Sequence, residues 1–379
     1  MEKFDLIILG AGAAGLMSAA FAQKHFKTLI IEANPSLGKK IRISGGGKCN
    51  ITNRFISPEF YLANSEFINP ALEGFTCKDS LRFFDGIALE ERDKGKLFGE
   101  ESSKLFIERL EERAKNAQIL LNSPIQSFTC KDDEFILQSQ KESFTCKRLI
   151  VASGSPAWPQ VGVSDIGYEI AKSFGHTIIT PMPALVPLTL QKEQFWMKDL
   201  SGIAFDVGAC IGEKKLKDAL LFTHKGISGP LVMDISLFWE KGLISFDFWP
   251  DGNLKKALHN GGKKLISSII PLPKRFLKAF LKAIGLEDKP INSLTCKEKE
   301  LLKKLHEYSF APAGKLGFAK SEVAKGGVNT DEINPTTLES KLQKNLYFVG
   351  EVLNVTGRLG GYNLHWAFAS AKQCASNLR

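Results

Sequence analysis

The chain has 379 residues, 44% of them hydrophobic and 24% charged, with a formal net charge of +9 at pH 7. That length holds two or three domains with ample core, and no apolar run approaches the roughly 18–20 residues that a membrane-spanning helix needs. The seven cysteines, odd in number and never spaced Cys-x-x-Cys, argue against a disulfide framework or a metal site and for reduced thiols in a cytoplasm.

In chain order, Leu6–Leu9 is a continuous apolar run of the kind that forms a parallel strand buried on both faces. Gly10, Gly12 and Gly15 follow at the spacing of a dinucleotide fingerprint, and Leu16–His25 reads as an Ala-rich helix. The first glycine permits the tight turn, the second lets the backbone approach a pyrophosphate, and the third lets the helix pack on its strand. A pyrophosphate then sits at the helix N-terminus, where unpaired amides and the macrodipole favour an anion. Thr28–Ile31 is the second strand. Glu32 ends it, roughly 20 residues past the first glycine, where a carboxylate accepts hydrogen bonds from an adenosine ribose. Lys3 before an apolar run also allows a secretory signal, but Glu2 and Asp5 flank that run and Glu32 would then have no role.

Ser44-Gly45-Gly46-Gly47-Lys48-Cys49-Asn50 is a loop whose backbone can lie against a ligand, since three successive glycines hold neither helix nor strand. Cys49 is placed to face a flavin ring, or is a small buried residue that holds the loop. Residues 58–117 read mainly as helices and turns, with Leu105–Ala117 the clearest amphipathic stretch. Ile119–Leu121, Glu134–Leu137 and Ser143–Cys146 suggest a β-meander inserted in the nucleotide domain. Arg148–Ser155 gives a further buried strand ending in Gly154, a second close backbone approach, and Tyr168–Phe174 a helix behind it. Phe-Thr-Cys-Lys recurs at Phe75–Lys78, Phe128–Lys131 and Phe144–Lys147, with the variant Leu294–Lys297. It reads as surface or hairpin sequence without catalytic meaning.

Pro181, Pro183 and Pro187 mark a boundary. Strand-like pieces at Leu185–Leu190, Ile203–Ile211, Ala219–Phe222 and Leu243–Phe248 suggest a small β-barrel, interrupted by the polar Gly-rich turn Phe222–Pro230. In that turn His224 is either an acid/base at the flavin or a plain turn histidine. Lys255–Phe310 reads as helical and Ala324–Val328 as a strand. Between Lys255 and Lys304 lie thirteen Lys or Arg against four acids, a surplus equal to the whole net charge of +9. That is either a solvated helical face or an electrostatic footprint for a polyanion.

Leu346–Val349 is a strand followed by Gly350-Glu351, where an acid suits the ribityl chain or phosphate of FAD. Gly357–Leu364 then opens a last helix, Leu364–Ser376, whose N-terminal amides would stabilise negative charge on a reduced flavin. A simple NAD enzyme has no need of this second half-site, so FAD is preferred.

Ser44–Asn53, Phe222–Pro230, Lys325-Gly326-Gly327-Val328 and Gly350–Ala369 together resemble the BaiN/RdsA-type (YhiN-type) bacterial flavoproteins over nearly the full chain. The resemblance implies an FAD-binding Rossmann-type α/β domain (two-dinucleotide-binding), interrupted by an insert of a small β-barrel plus a helical subdomain. It implies FAD-dependent reductases, some acting on the C5=C6 bond of a uridine in large-subunit ribosomal RNA, others on ring double bonds of oxo-bile acids. It places Gly10, Gly12, Gly15, Glu32, Ser44, Gly45, Gly46, Gly47, Gly154, Glu351 and Gly360–Leu364 on FAD. Asn354 and Thr356 stand where acids are usual, His365 where Gln is usual, and Gly99 where a Pro follows Leu97-Phe98.

The expected boundaries are 1–182 with 335–379 for the FAD domain, 183–253 with 312–334 for the barrel, and 254–311 for the basic helical part. Ala13, Ala14, Ala33, Lys40, Cys49, Asn50, Ile125, Ala152 and Ser153 are expected beside the cofactor with the fingerprint residues. So are Gly350, Gly361, Tyr362, Asn363 and Leu364. The expected reaction takes electrons from NAD(P)H through FAD to an electron-poor C=C bond, a nearby acid protonating the second carbon. Cys49 is the first candidate for that acid, with His224 and His365 behind it. The partner is ribosomal RNA held through residues 255–304, with no membrane involved. A small-molecule ene-reductase or oxidase, or a non-enzymatic FAD-bound interaction protein, are the alternatives.

Overall fold

The computed structural model describes residues 2–22 and 24–378. It divides into two units, residues 1–183 with 322–379, and residues 184–321.

In the first unit, strand β1 (Glu2–Leu9) runs into helix α1 (Ala13–Ala22) and back into β2 (Thr28–Ile31), whose residues are all buried. Their unbroken Leu and Ile content follows from burial on both faces. β1 pairs in parallel with β2 on one side, and β2 with β3 (Gln118–Leu120). The sequence placed Ile119–Leu121 in a meander, but β3 is instead the outer parallel strand of the nucleotide sheet. The meander itself consists of β4 (Ile125–Lys131) and β5 (Glu134–Ser139), joined antiparallel to β6 (Ser143–Val151).

β6 corrects a second expectation, because Ser143–Cys146 and Arg148–Val151 form one strand rather than two. It pairs in parallel with β1 from Phe144 to Val151. Its other edge is divided: Ser143–Cys146 meets β5, whereas Leu149–Val151 meets β7 (Leu346–Phe348) in parallel. The strand thus carries both the nucleotide sheet and the meander. Residues 58–117 hold strands as well as helices: Leu89–Arg92 and Lys96–Gly99 form a hairpin whose second strand pairs with Asn50–Asn53.

The second unit is built on a seven-stranded antiparallel sheet. Its order is 308–310, 244–247, 204–211, 214–223, 226–228, 188–189, 314–315. The stretch expected as a plain turn, Phe222–Pro230, contains the strand Gly226–Ser228 and leads into a helix, Pro230–Phe238. The basic segment folds as the helices Leu254–Asn260, Ile266–Ile269, Lys274–Ala283 and Cys296–Leu302. Phe276, Leu277, Phe280 and Leu281 of this segment share one hydrophobic core with Phe222, Phe246 and Phe248 of the sheet. The basic helices therefore belong to the same unit as the sheet. Val323–Val328, expected with the barrel, pairs with Ile178–Ala184 and belongs to the first unit. No helix among the described residues is long and apolar enough to cross a membrane.

Candidate cofactor and reaction site

Each glycine of the first turn is required for a different reason. Gly10 has φ +108°, and a Cβ on it would stand 2.5 Å from the Ala152 carbonyl oxygen. A Cβ on Gly15 would fall 1.8 Å from the Gly10 carbonyl oxygen, so helix and turn touch only because the side chain is missing. A Cβ on Gly12 would meet nothing within 4 Å. The open space lies beside the start of α1, where a pyrophosphate approaches backbone amides. Ala13 and Ala14 form that start.

Glu32 is fixed in place at the end of β2. Its Oε2 accepts from the Ala11 amide at 2.7 Å, and its Oε1 from the Asn34 amide at 2.9 Å and the Asn34 side chain at 2.8 Å. Asn34 is itself held by Lys39 Nζ at 2.9 Å. Ala33 is exposed beside it, and the Ser123 amide, two residues before half-buried Ile125, donates to the Glu32 carbonyl at 2.9 Å. Asn34 escaped the sequence reading because it acts through its neighbour and carries no motif of its own.

The Ser44–Asn50 loop turns on Gly45, Gly46 and Gly47 at φ +58°, +68° and +88°. Gly46 and Gly47 have open space where a Cβ would stand. The loop is pinned from behind: Gly99 N donates to the Lys48 and Cys49 carbonyls at 3.0 and 3.2 Å, and Ser103 N to the Gly47 carbonyl at 2.8 Å. A proline at position 99 would have no N–H to make the first two bonds. Ser44 Oγ is turned to the Ile41 carbonyl at 2.7 Å.

The far end of the chain returns to these residues. Glu351 pairs with Lys40, and its other oxygen accepts from the Ala324 amide at 3.2 Å. Gly350 has φ +72°, with room for a Cβ only 2.8 Å from that of Ala14. Gly361 has φ +95° and lies so close to the Thr52 carbonyl that a Cβ would stand 2.3 Å from it. Asn53 Nδ2 donates to the Gly360 carbonyl at 2.9 Å, and the Asn50 side-chain oxygen accepts from the Gly361 amide at 3.0 Å. Asn363 exchanges two 2.8 Å bonds with the Gly357 backbone just ahead of half-buried Leu364. Tyr362 is buried and stacked on Phe60 at 4.9 Å, so its ring serves packing while its backbone opens the last helix, Tyr362–Ser376.

Ser153 Oγ and Tyr168 Oη are among the buried polar atoms that lack a hydrogen-bond partner. Burial, with the Glu351 and Asp165 carboxylates adding to it, pushes the Tyr168 phenol up. Ser153 directly precedes Gly154, which has φ +75° and open space at its Cβ position. Buried polar groups without partners are uncommon in a finished core and fit a site that takes a polar ligand. Open space at Gly12, Gly46, Gly47 and Gly154, with an acid at each half-site, fits a dinucleotide.

The three candidate acids divide sharply. Cys49 is fully buried with φ +59°, and burial pushes its thiol up to about 12 although a bond to Ser44 opposes this. A thiol sealed in the core fits the other reading, the small residue that holds the loop, better than that of the acid. Iodoacetamide at neutral pH is therefore expected to label exposed Cys210 and Cys296 in the native protein and to spare Cys49, read by mass spectrometry. Cys49→Ser is expected to keep normal turnover.

His365 is fully buried too, with Nε2 bonded to the Phe75 carbonyl at 2.9 Å and Nδ1 facing Thr52 Oγ1 at 2.7 Å and Ser80 Oγ at 3.3 Å. Burial lowers its pKa to about 4, and with both nitrogens engaged the ring fits a structural place better than that of a proton donor. His224 is exposed in the turn between Lys214–Thr223 and Gly226–Ser228.

The fold and this site define the class: the protein is a flavoprotein oxidoreductase with an FAD-binding Rossmann-type domain. The family described as HI0933-like protein Rossmann domain matches residues 4–377, and the chain belongs to it. It is 37% identical to the ribosomal RNA dihydrouridine synthase of Haemophilus influenzae, over 98% of either chain. It is 35% identical to the Escherichia coli ribosomal RNA dihydrouridine synthase, over 100% of this chain and 98% of that one. A 3-dehydro-bile acid delta(4,6)-reductase of Clostridium scindens is 28% identical over 96% of both.

Proposed function

We propose that this chain reduces the C5=C6 bond of a uridine in large-subunit ribosomal RNA, giving dihydrouridine. The observation that carries this reading is near-full-length identity of 35–37% to two ribosomal RNA dihydrouridine synthases. FAD, when bound, supplies the hydride for C6. The chain's own residues hold and orient: the amides of Gly12, Ala13 and Ala14 receive the pyrophosphate, and Glu32, fixed by Ala11 and Asn34, takes the adenosine ribose. The Gly45–Gly47 loop and the start of the last helix, Gly360–Leu364, close on the flavin end. There amides at a helix start favour negative charge. Of the three candidate acids only His224 is exposed, Cys49 and His365 being sealed in the core. NADH or NADPH is the proposed electron donor, and anaerobic bleaching of the flavin by one and not the other identifies which.

The deciding measurement is mass-spectrometric mapping of dihydrouridine in ribosomal RNA from cells with and without this protein. One modified uridine is expected to disappear on deletion, and an unchanged map would overturn the reading. The bile-acid reductase relative favours a second reading, a small-molecule ene-reductase. It predicts turnover of a free enone that is insensitive to charge changes in residues 255–304.

A further inference from the structure

We infer that the RNA is gripped on the second unit by a composite surface: the lysine stripe of the Lys274–Ala283 helix and the exposed ring of Phe195 on the neighbouring Lys192–Leu200 segment. The inference rests on the reading of the protein as an RNA uridine reductase and names where that substrate is held.

The helix Lys-Arg-Phe-Leu-Lys-Ala-Phe-Leu-Lys-Ala has a clean division. Phe276, Leu277, Phe280 and Leu281 are buried in the core, while Lys274, Arg275, Lys278 and Lys282 are exposed. Lys274, Lys278 and Lys282 fall four residues apart and therefore form one stripe. A merely solvated basic helix usually interleaves acids at that spacing, and this one has none. Three of the four acids of the wider segment are engaged elsewhere: Glu298 with Lys289 at 2.7 Å, Glu300 with Lys303 at 2.7 Å, and Asp288 with Ser267. Lys274, Lys278 and Lys282 make no ion pair among the described residues.

The Lys192–Leu200 segment, a 3-10 helix, packs on the same helix. Trp196 turns inward, 6.2 Å from both Phe276 and Phe280. Phe195 turns outward and is 42% exposed. Lys198 Nζ stands 3.4 Å from the Phe195 ring centroid, and Arg275 is tied to the Asp199 carbonyl, which fixes segment to helix. An exposed aromatic ring flanked by cations is the arrangement that binds single-stranded nucleic acid, bases stacking on the ring while phosphates follow the charge. A uridine about to be reduced must be unstacked from its own strand, so a single-stranded footing is the form the RNA takes.

The test uses the full chain with FAD and a U-rich single-stranded oligoribonucleotide, read by fluorescence anisotropy from low to high salt. Phe195→Ala is expected to weaken binding about tenfold with little change in salt slope. Replacing Lys274, Lys278 and Lys282 together by Glu is expected to weaken it further and to flatten the slope by about 2, since each phosphate contact on a single strand contributes roughly 0.7. Leu342→Ala, an exposed apolar residue on the first unit, is the control and should bind as the unaltered protein does. Flavin content and melting temperature confirm that each variant is folded. Unaltered affinity and slope in both surface variants would overturn the inference. Dihydrouridine in a deletion strain carrying each variant separates the two claims. If the unaltered gene restores the modification and the surface variants restore it equally, the gripping surface is wrong and the activity stands. If the unaltered gene restores nothing, the activity is wrong, and the anisotropy still judges the surface.

Discussion

A chain carrying Gly15→Ala is expected to purify without flavin and to bind added FAD at least about a hundredfold more weakly, a loss of about 2.8 kcal/mol. The added methyl would lie 1.8 Å from the Gly10 carbonyl oxygen, a backbone atom that cannot swing aside. The helix must move off its strand, and the turn proposed to receive the pyrophosphate moves with it. Overpacking of this kind costs on the order of 1–3 kcal/mol in the cofactor-free protein as well. Gly12→Ala separates the two effects, because its methyl meets nothing in the protein. Its cofactor-free melting temperature is expected to match that of the unaltered chain while FAD affinity still falls, since the methyl occupies the phosphate's space. Calorimetry of both variants, with and without FAD, checks the pair. Equal FAD affinity in Gly12→Ala would show that the open space beside α1 is not where the pyrophosphate sits.

The second large effect is expected at His365. Its imidazole is buried with both nitrogens engaged, to the Phe75 carbonyl and to the Thr52 and Ser80 hydroxyls. His365→Leu leaves those three groups without a partner in a sealed core, where each orphaned polar group costs about 1–3 kcal/mol. A loss of several kcal/mol is expected in denaturant unfolding. His365→Gln keeps a donor and an acceptor at one place and is expected to be tolerated.

The same residue gives stability a pH dependence of known sign. The folded pKa is lowered from the ordinary 6.5 to about 4. Above 6.5 both folded and unfolded chains carry a neutral ring, and nothing changes with pH. As pH falls from 6.5 towards 4 the unfolded chain takes up a proton that the folded one does not, so stability drops by on the order of 3 kcal/mol and then levels off. His365→Gln should lose this component of the acid limb. If its unfolding free energy follows pH between 4 and 6.5 as the unaltered protein's does, the ring is not the group responsible.

His365 and Cys49 show where reading by residue type stops. Both are chemistry-bearing residues next to motif glycines, so the sequence offers them as acids. Their burial is decided by segments far off in the chain, Phe75 and Ser80 against the ring, Gly99 and Ser103 around the loop. The Phe-Thr-Cys-Lys unit makes the same point locally. At Thr76 and Thr295 it and its variant start helices, the threonine capping with Asp79 and Glu298 three residues on. At Phe128–Lys131 and Phe144–Lys147 the same four residues lie inside strands. The acid three residues after the threonine does not choose between the two, since Asp132 follows Thr129 at that spacing and only Thr145 lacks one; cross-strand partners decide instead.

The chain's own order of residues determined the nucleotide half of this protein. A doubly buried strand, three glycines at fixed offsets and an acid at the next strand end are local features, and local geometry follows from them. Tertiary structure alone decided that β6 is a single strand with a divided edge and that the basic helices share a core with the antiparallel sheet. It alone decided which polar groups are sealed from solvent. Those outcomes depend on contacts between residues distant in sequence, whose burial free energy is large enough to override any local preference.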